Sequence, residues 1–268
     1  MSALKQGRQT GVTLVELMVG MVISLIVIAI VGTLFINTVR GSNDALRAMK
    51  LNHELRAVMN YMVADLRRAG FWEDAATAAL NSNIPFVNPF TERDPANHPM
   101  DIWIHDFNGV RDCIMYSYDY DHNNDGKLYD RSSPDVAPLL GFRLNNGVVQ
   151  AMQPGWNIGT LGTSVCKGRF EGLTDPNTIT VTELSFSTEG SQCRNMTSGE
   201  VWAVTTASAT PACALAPPSG RPHASGERLI ETRQIRIQLT GHHAMDPQIS
   251  MTLSDSVKIR NNRVIIVP

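Results

Sequence analysis

The chain has 268 residues, 43% hydrophobic and 18% charged, which is ordinary for a globular domain carrying an appendage. Its 23 basic and 25 acidic residues leave a formal charge of -2. No basic face of the size that duplex recognition needs stands out, which argues against a nucleic-acid partner.

The first element in chain order breaks the average. From Val12 to Val39 the only ionisable side chain is Glu16. A helix over 12–36 is about 37 Å long, enough to cross a bilayer. It is too long for the apolar core of an ordinary secretory signal, and no small-residue cleavage site comes after it. Lys5 and Arg8 precede it, so the positive-inside tendency keeps the N-terminus cytoplasmic and exports the rest of the chain beyond the span. An unpaired acid deep in a helix span costs roughly 2.5–3.5 kcal/mol on insertion scales, so Glu16 needs a purpose.

Helical periodicity continues beyond the span. Leu51, Leu55, Val58, Met62 and Leu66 form one apolar stripe, while Arg67, Arg68 and Gly70 suit a helix C-terminus. The pattern predicts a single helix over 12–69, with 12–39 in the membrane and a bend at Gly41–Ser42. Residues 73–100 have the composition of a long irregular connection. Strand-like runs come next: "DCIMYSYDY", a hairpin about Asn145-Asn146-Gly147, "NTITVTELSFST", "ETRQIRIQLTG", "QISMTLSDSVKI" and "NRVIIV". Residues 187–227, rich in Ser, Thr, Pro and Gly, read as a surface excursion. The expected architecture is an α+β domain over 70–268, its antiparallel sheet packed on the exported half of the long helix.

Cys113, Cys166, Cys193 and Cys213 all lie in the exported part, where an even count points to two disulfides with three possible connectivities. Cys193 and Cys213 share one excursion, which favours their pairing and leaves Cys113 with Cys166. The stretch "DYDHNNDGKLYD" offers oxygen ligands at alternate positions. Asp121, Asn123 and Asp125, the Lys127 carbonyl, and Asp119 or Asp130 form a candidate Ca²⁺ site, incomplete because Ser132 stands where an EF-hand has its bidentate Glu. The alternative is an Asn/Asp/Gly-rich turn that needs no metal. His242-His243 sit on a strand, where neighbours point to opposite faces, so they do not suit one ion. Asn195-Met196-Thr197 matches a glycosylation acceptor, a short and common motif. No G-x-S-x-G, H-E-x-x-H or phosphate-cradling loop occurs, so an enzyme is not expected.

"GVTLVELMVGMVISL" resembles the class III signal of type IV prepilins. The resemblance implies cleavage after Gly11 by prepilin peptidase, methylation of the new amine at Val12, and an assembly role for Glu16, the fifth mature residue. Residues 1–11 would be the leader. Val12 departs from the usual Phe. "LNHELRAVMNYMVADLRRAGFW", "CIMYSYDYDHNNDG", "GFRLNNGVVQ" and "SVKIRNNRV" are similar to stretches of PilW-type minor pilins. That implies a non-enzymatic subunit of a priming or tip complex, with other minor pilins, the major pilin and a tip adhesin as partners. It also implies a single-pass inner-membrane chain with a periplasmic domain. The alternatives are a J-like minor pseudopilin of type II secretion, which shares the plan, and a membrane-anchored binding module or enzyme on a pilin-like stalk.

Overall fold

The computed structural model describes residues 11–72, 88, 90, 102–119, 139–153, 166 and 168–267. Its long helix, α1, runs from Leu14 to Leu66. The helical assignment continues through Gly41–Ser42, so the bend expected there is not a break in secondary structure. Good helix formers surround this pair, and one glycine costs a helix only about 1 kcal/mol. After Leu66 the chain turns, and Gly70 takes the left-handed conformation (φ 72°). Gly70 N–H then donates to Ser117 O at 2.8 Å, which fixes the exit of the chain from the helix.

By compactness the chain divides into two units, Met1–Arg47 and Ala48–Pro268. In the first, every large apolar side chain from Val12 to Val39 is at least 42% exposed. In the second, Leu51, Leu55, Val58, Met62 and Leu66 are buried, as the apolar stripe requires, and Met59 joins them. Burying a side chain of this size contributes about 1.5–3 kcal/mol, so this stripe is a main source of the domain's stability.

Three antiparallel sheets complete the second unit. The first has the order β1-β2-β3-β4-β5: β1 Ile102–Phe107, β2 Val110–Ser117, β3 Leu139–Asn145, β4 Val148–Met152 and β5 Phe170–Gly172. The β3–β4 hairpin closes on Asn145↔Val148, with Asn146 (φ 49°) and Gly147 (φ 78°) as its two turn residues. Positive φ at both central positions is the turn that Asn-Gly favours. The second sheet has the order β11-β10-β6: β6 Ile179–Ser187, β10 Gln234–His243 and β11 Asp246–Lys258. The β10–β11 ladder runs from Gln234↔Lys258 to His243↔Asp246, with a bulge at His242/His243.

The third sheet corrects the expectation of a surface excursion at 187–227. Its order is β12-β9-β7-β8: β7 Gln192–Asn195, β8 Val201–Ala203, β9 Arg228–Thr232 and β12 Arg263–Ile266. Short strands in polar surroundings carry little periodic signal, but Cys193, Trp202, Val204, Ala212, Cys213 and Leu229 form a core of their own. The run "ETRQIRIQLTG" is likewise split. Glu231 and Thr232 end β9, Arg233 is buried between the strands, and β10 starts at Gln234. The principal core joins the α1 stripe to Ile114, Phe142, Ile179, Phe186, Ile235 and Ile237. Disulfides join Cys193 to Cys213 and Cys113 to Cys166.

Candidate processing and assembly site

Gly11 and Val12 lie in exposed, non-helical chain just before α1. Thr13 is the residue before the first helical position, and its Oγ1 accepts a hydrogen bond from Glu16 N–H at 3.3 Å. Thr13-Leu14-Val15-Glu16 therefore has the Thr-x-x-Glu pattern of a capping box, in which a hydroxyl satisfies one of the orphan donors of the first turn. The helix dipole also favours a carboxylate there. The cap that Thr13 places on the Glu16 N–H is a finding of the structure. Its signal, Thr three residues before Glu at the start of an apolar run, was present in the sequence.

The hydroxyls inside the apolar span are satisfied by their own helix. Ser24 Oγ donates to Gly20 O at 2.7 Å, Thr33 Oγ1 to Ile30 O at 2.8 Å, and Thr38 Oγ1 to Leu34 O at 2.9 Å. A span that turns apolar side chains outward on all sides and pairs its hydroxyls internally suits lipid or a bundle of like helices. An 18-residue window of the helix has a mean hydropathy of 2.8, which is high enough to cross a membrane.

The folded unit contributes a cavity of about 510 Å³ between the last turns of α1 and the five-stranded sheet. Asp65 is among its lining residues. It accepts a hydrogen bond from the buried Tyr116 hydroxyl and another from Tyr118 Oη at 3.0 Å. Arg68 lies 3.9 Å from the same carboxylate and stacks over the Tyr118 ring at 5.8 Å. Burial first, and the Asp65 charge second, push the Tyr116 phenol well above the usual tyrosine range. Burial raises Tyr118 to about 12. The hydrogen bond with Tyr118 raises Arg68 in turn. Both phenols are therefore donors at neutral pH, and the carboxylate is answered by groups of its own fold. Such a network fixes the end of α1 on the sheet. Sequence reasoning missed it, because nothing local in "VADLRRAG" brings Asp65 to tyrosines about fifty residues away.

The other candidates fare differently. Asp119 is buried, and its N–H donates to Phe71 O at 2.9 Å. Asp121, Asn123, Asp125, Lys127 and Asp130 lie outside the described residues, so the candidate calcium loop has no described geometry. Among the described residues no group of three or more His, Cys, Asp or Glu is placed to hold a metal. His243 is buried, and its Nδ1 accepts from Met245 N–H at 3.2 Å. Asn195 is also buried. Its Oδ1 accepts from Thr197 and Ser198 N–H, and its Nδ2 donates to Glu227 at 2.9 Å. The acceptor Asn195 is thus held inward by the turn, although Met196 and Thr197 beside it are exposed.

A family model described as "Prepilin peptidase-dependent protein B" matches residues 44–259, most of the chain. The chain belongs to that family. A second model, the prokaryotic N-terminal methylation motif, matches residues 6–32, the stretch that holds Gly11, Val12 and Glu16. This is a membrane-anchored, prepilin-like protein, a substrate of prepilin peptidase. No curated protein and no solved structure matches it.

Proposed function

We propose that this prepilin-like chain is a minor pilin of the PilW type. It is a non-enzymatic subunit of the inner-membrane complex that initiates a type IV pilus, and it is carried near the tip. Prepilin peptidase cuts after Gly11, and the new amine at Val12 is methylated. When apolar helices bundle with an axial stagger, Glu16 of one subunit meets the amine of its neighbour. That pairing offsets the desolvation that each charge suffers alone. The partners are other minor pilins, the major pilin and a tip adhesin, with the folded domain in the periplasm. One observation carries the reading: a methylation-motif N-terminus opens a helix whose large apolar side chains from Val12 to Val39 are all exposed, on a chain with a separately compact domain.

The test separates charge from capping. Glu16→Gln keeps a capping-box side chain but removes the charge, whereas Glu16→Ala removes both. Both variants should be inserted and processed, with mass spectrometry giving Val12 as the first residue. Both should be lost from affinity-purified minor-pilin complexes. Wild-type recovery of Glu16→Gln would refute the charge-pairing role. An intact Met1 in cells with active peptidase would refute processing. A deletion that abolishes protein secretion and spares pili would place the chain with the J-like pseudopilins instead.

A further inference from the structure

The cap at the start of α1 lies close to the bond that the proposed cleavage breaks, Gly11–Val12. α1 begins at Leu14, and Leu17 N–H donates to Thr13 O at 3.2 Å to close its first turn. Gly11, Val12 and Thr13 are exposed and outside the helix. In a helix continued backwards by one residue, Glu16 N–H would donate to Val12 O. Here that N–H donates to Thr13 Oγ1 instead, at 3.3 Å. The Thr13 hydroxyl thus holds the donor that the next step of helix growth requires.

The step after that one bears on the chemistry. Val15 N–H would donate to Gly11 O, the carbonyl of the bond to be hydrolysed. In the hydrolysis the water oxygen joins the Gly11 carbonyl carbon and the bond to the Val12 nitrogen breaks. The products are a Gly11 carboxylate and a Val12 amine. As water adds, negative charge gathers on the carbonyl oxygen, and a peptidase has to reach that oxygen with its own donors. A hydrogen bond from Val15 would occupy the oxygen and draw the peptide bond into the helix. The sequence offers such a longer helix a place to start. Thr10 stands three residues before Thr13, and threonine is a good N-cap residue. Growth of an existing helix needs no new nucleus. Gly11 opposes it only weakly, since α1 already contains Gly20, Gly32 and Gly41. What favours the observed start is Glu16, three residues after Thr13 in the capping-box pattern, whereas Thr10 has Thr13 at that place.

We propose that Thr13 is a positioning residue for processing. By capping α1 it keeps the helix start downstream of the Gly11–Val12 bond and leaves the Gly11 carbonyl open to prepilin peptidase. The inference rests on cleavage after Gly11 as proposed above, and it concerns the hydroxyl of Thr13 rather than the charge of Glu16.

The test incubates the full chain in detergent micelles with active prepilin peptidase and follows the appearance of the Val12 N-terminus by mass spectrometry. Thr13→Val keeps the shape of the side chain and removes the hydroxyl. It should slow cleavage about two- to fivefold, the scale of a lost cap. Thr13→Ser keeps the capping oxygen and should be cut at the wild-type rate. Proline at the first helical position fixes the helix start without a hydroxyl, because it disfavours helical backbone at the residue before it. In a Leu14→Pro background, Thr13→Val should therefore have no effect on the rate. Amide exchange followed by nuclear magnetic resonance gives a second readout without the enzyme: Val15 N–H should exchange more slowly in Thr13→Val than in the wild type, because it gains Gly11 O as an acceptor. Cleavage of Thr13→Val at the wild-type rate would overturn the proposal, as would unchanged Val15 exchange. An equal slowing by Thr13→Val in the Leu14→Pro background would show that the peptidase reads the hydroxyl itself, and would also overturn it. A wild type that yields no Val12 N-terminus would refute the processing reading first, and this inference with it.

Discussion

Removing the Cys193–Cys213 disulfide should open one part of the folded domain and leave the rest in place. The bond closes a chain separation of 20 residues, with its Cα atoms 5.0 Å apart. In the chain-entropy account a loop of that size is worth about 3.3 kcal/mol. The local core it anchors is small, and its other members are Trp202, Val204, Ala212 and Leu229. Two hydrogen bonds depend on the position of the Ala212–Ala214 turn: Trp202 Nε1 donates to Ala212 O at 2.8 Å, and Cys213 N–H donates to Glu231 at 3.1 Å. A polar loop held by so few contacts has little else to offset the entropy of ordering it. The double variant Cys193→Ala with Cys213→Ala avoids leaving a free thiol to exchange with Cys113–Cys166. It should lose about 3–4 kcal/mol in urea unfolding of the detergent-solubilised chain. Trp202, buried in the parent, should become accessible to a neutral fluorescence quencher at urea concentrations below the main unfolding transition. A loss below about 1 kcal/mol with unchanged quenching would show that the third sheet holds its own shape, and the loop-closure argument would fail.

Three further outcomes are expected. Tyr118, raised to about 12 by burial, should ionise late in an ultraviolet phenolate titration. Its contribution to stability is complete below the unfolded value near 10 and is lost as pH rises through about 12, and Asp65→Asn should bring the ionisation down. An unchanged titration in that variant would refute the Asp65 contact. Gly147→Ala should cost about 1–2 kcal/mol for its left-handed backbone. The added Cβ would also sit 2.9 Å from Thr180 Cγ2, so Thr180→Ser should recover part of the loss, and no recovery would count against the clash. We propose that the acidic loop around Asp121–Asp125 binds calcium weakly. Millimolar Ca²⁺ should then raise the melting temperature of the wild type but not of Asp121→Ala, and equal behaviour would leave only a turn.

The periodic parts of this fold were legible in the sequence. The Leu51–Leu66 stripe, the Asn146-Gly147 turn and the alternation of Ile235, Ile237 and Leu239 each repeat a local rule often enough to be read without a structure. The third sheet was not legible, because three- and four-residue strands such as Val201–Ala203 and Gln192–Asn195 contain one or two alternations at most. The break at Arg233 was hidden for a related reason: a corner within one strand-like run, here with no Gly or Pro at it, leaves no mark in the sequence. β1 went unread because Ile102–Phe107 comes after a proline-rich stretch and ends in exposed residues. At the N-terminus, Gly11, Val12 and Glu16 could be singled out from the uncharged run around them. The Thr13–Glu16 cap was equally visible but was overshadowed by the larger question of what a carboxylate was doing in an apolar span.

That span has one more implication. Ser24, Thr33 and Thr38 spend their hydroxyl protons on their own helix, so none of them is bound to one position on a neighbour. Sliding one such helix along another trades apolar contact for apolar contact at nearly equal energy. Between Val12 and Val39 Glu16 is the one ionisable side chain on an otherwise mostly apolar rod. Such a rod can travel easily past like neighbours and still stop at a definite height, which is what the proposed role of a minor pilin would require.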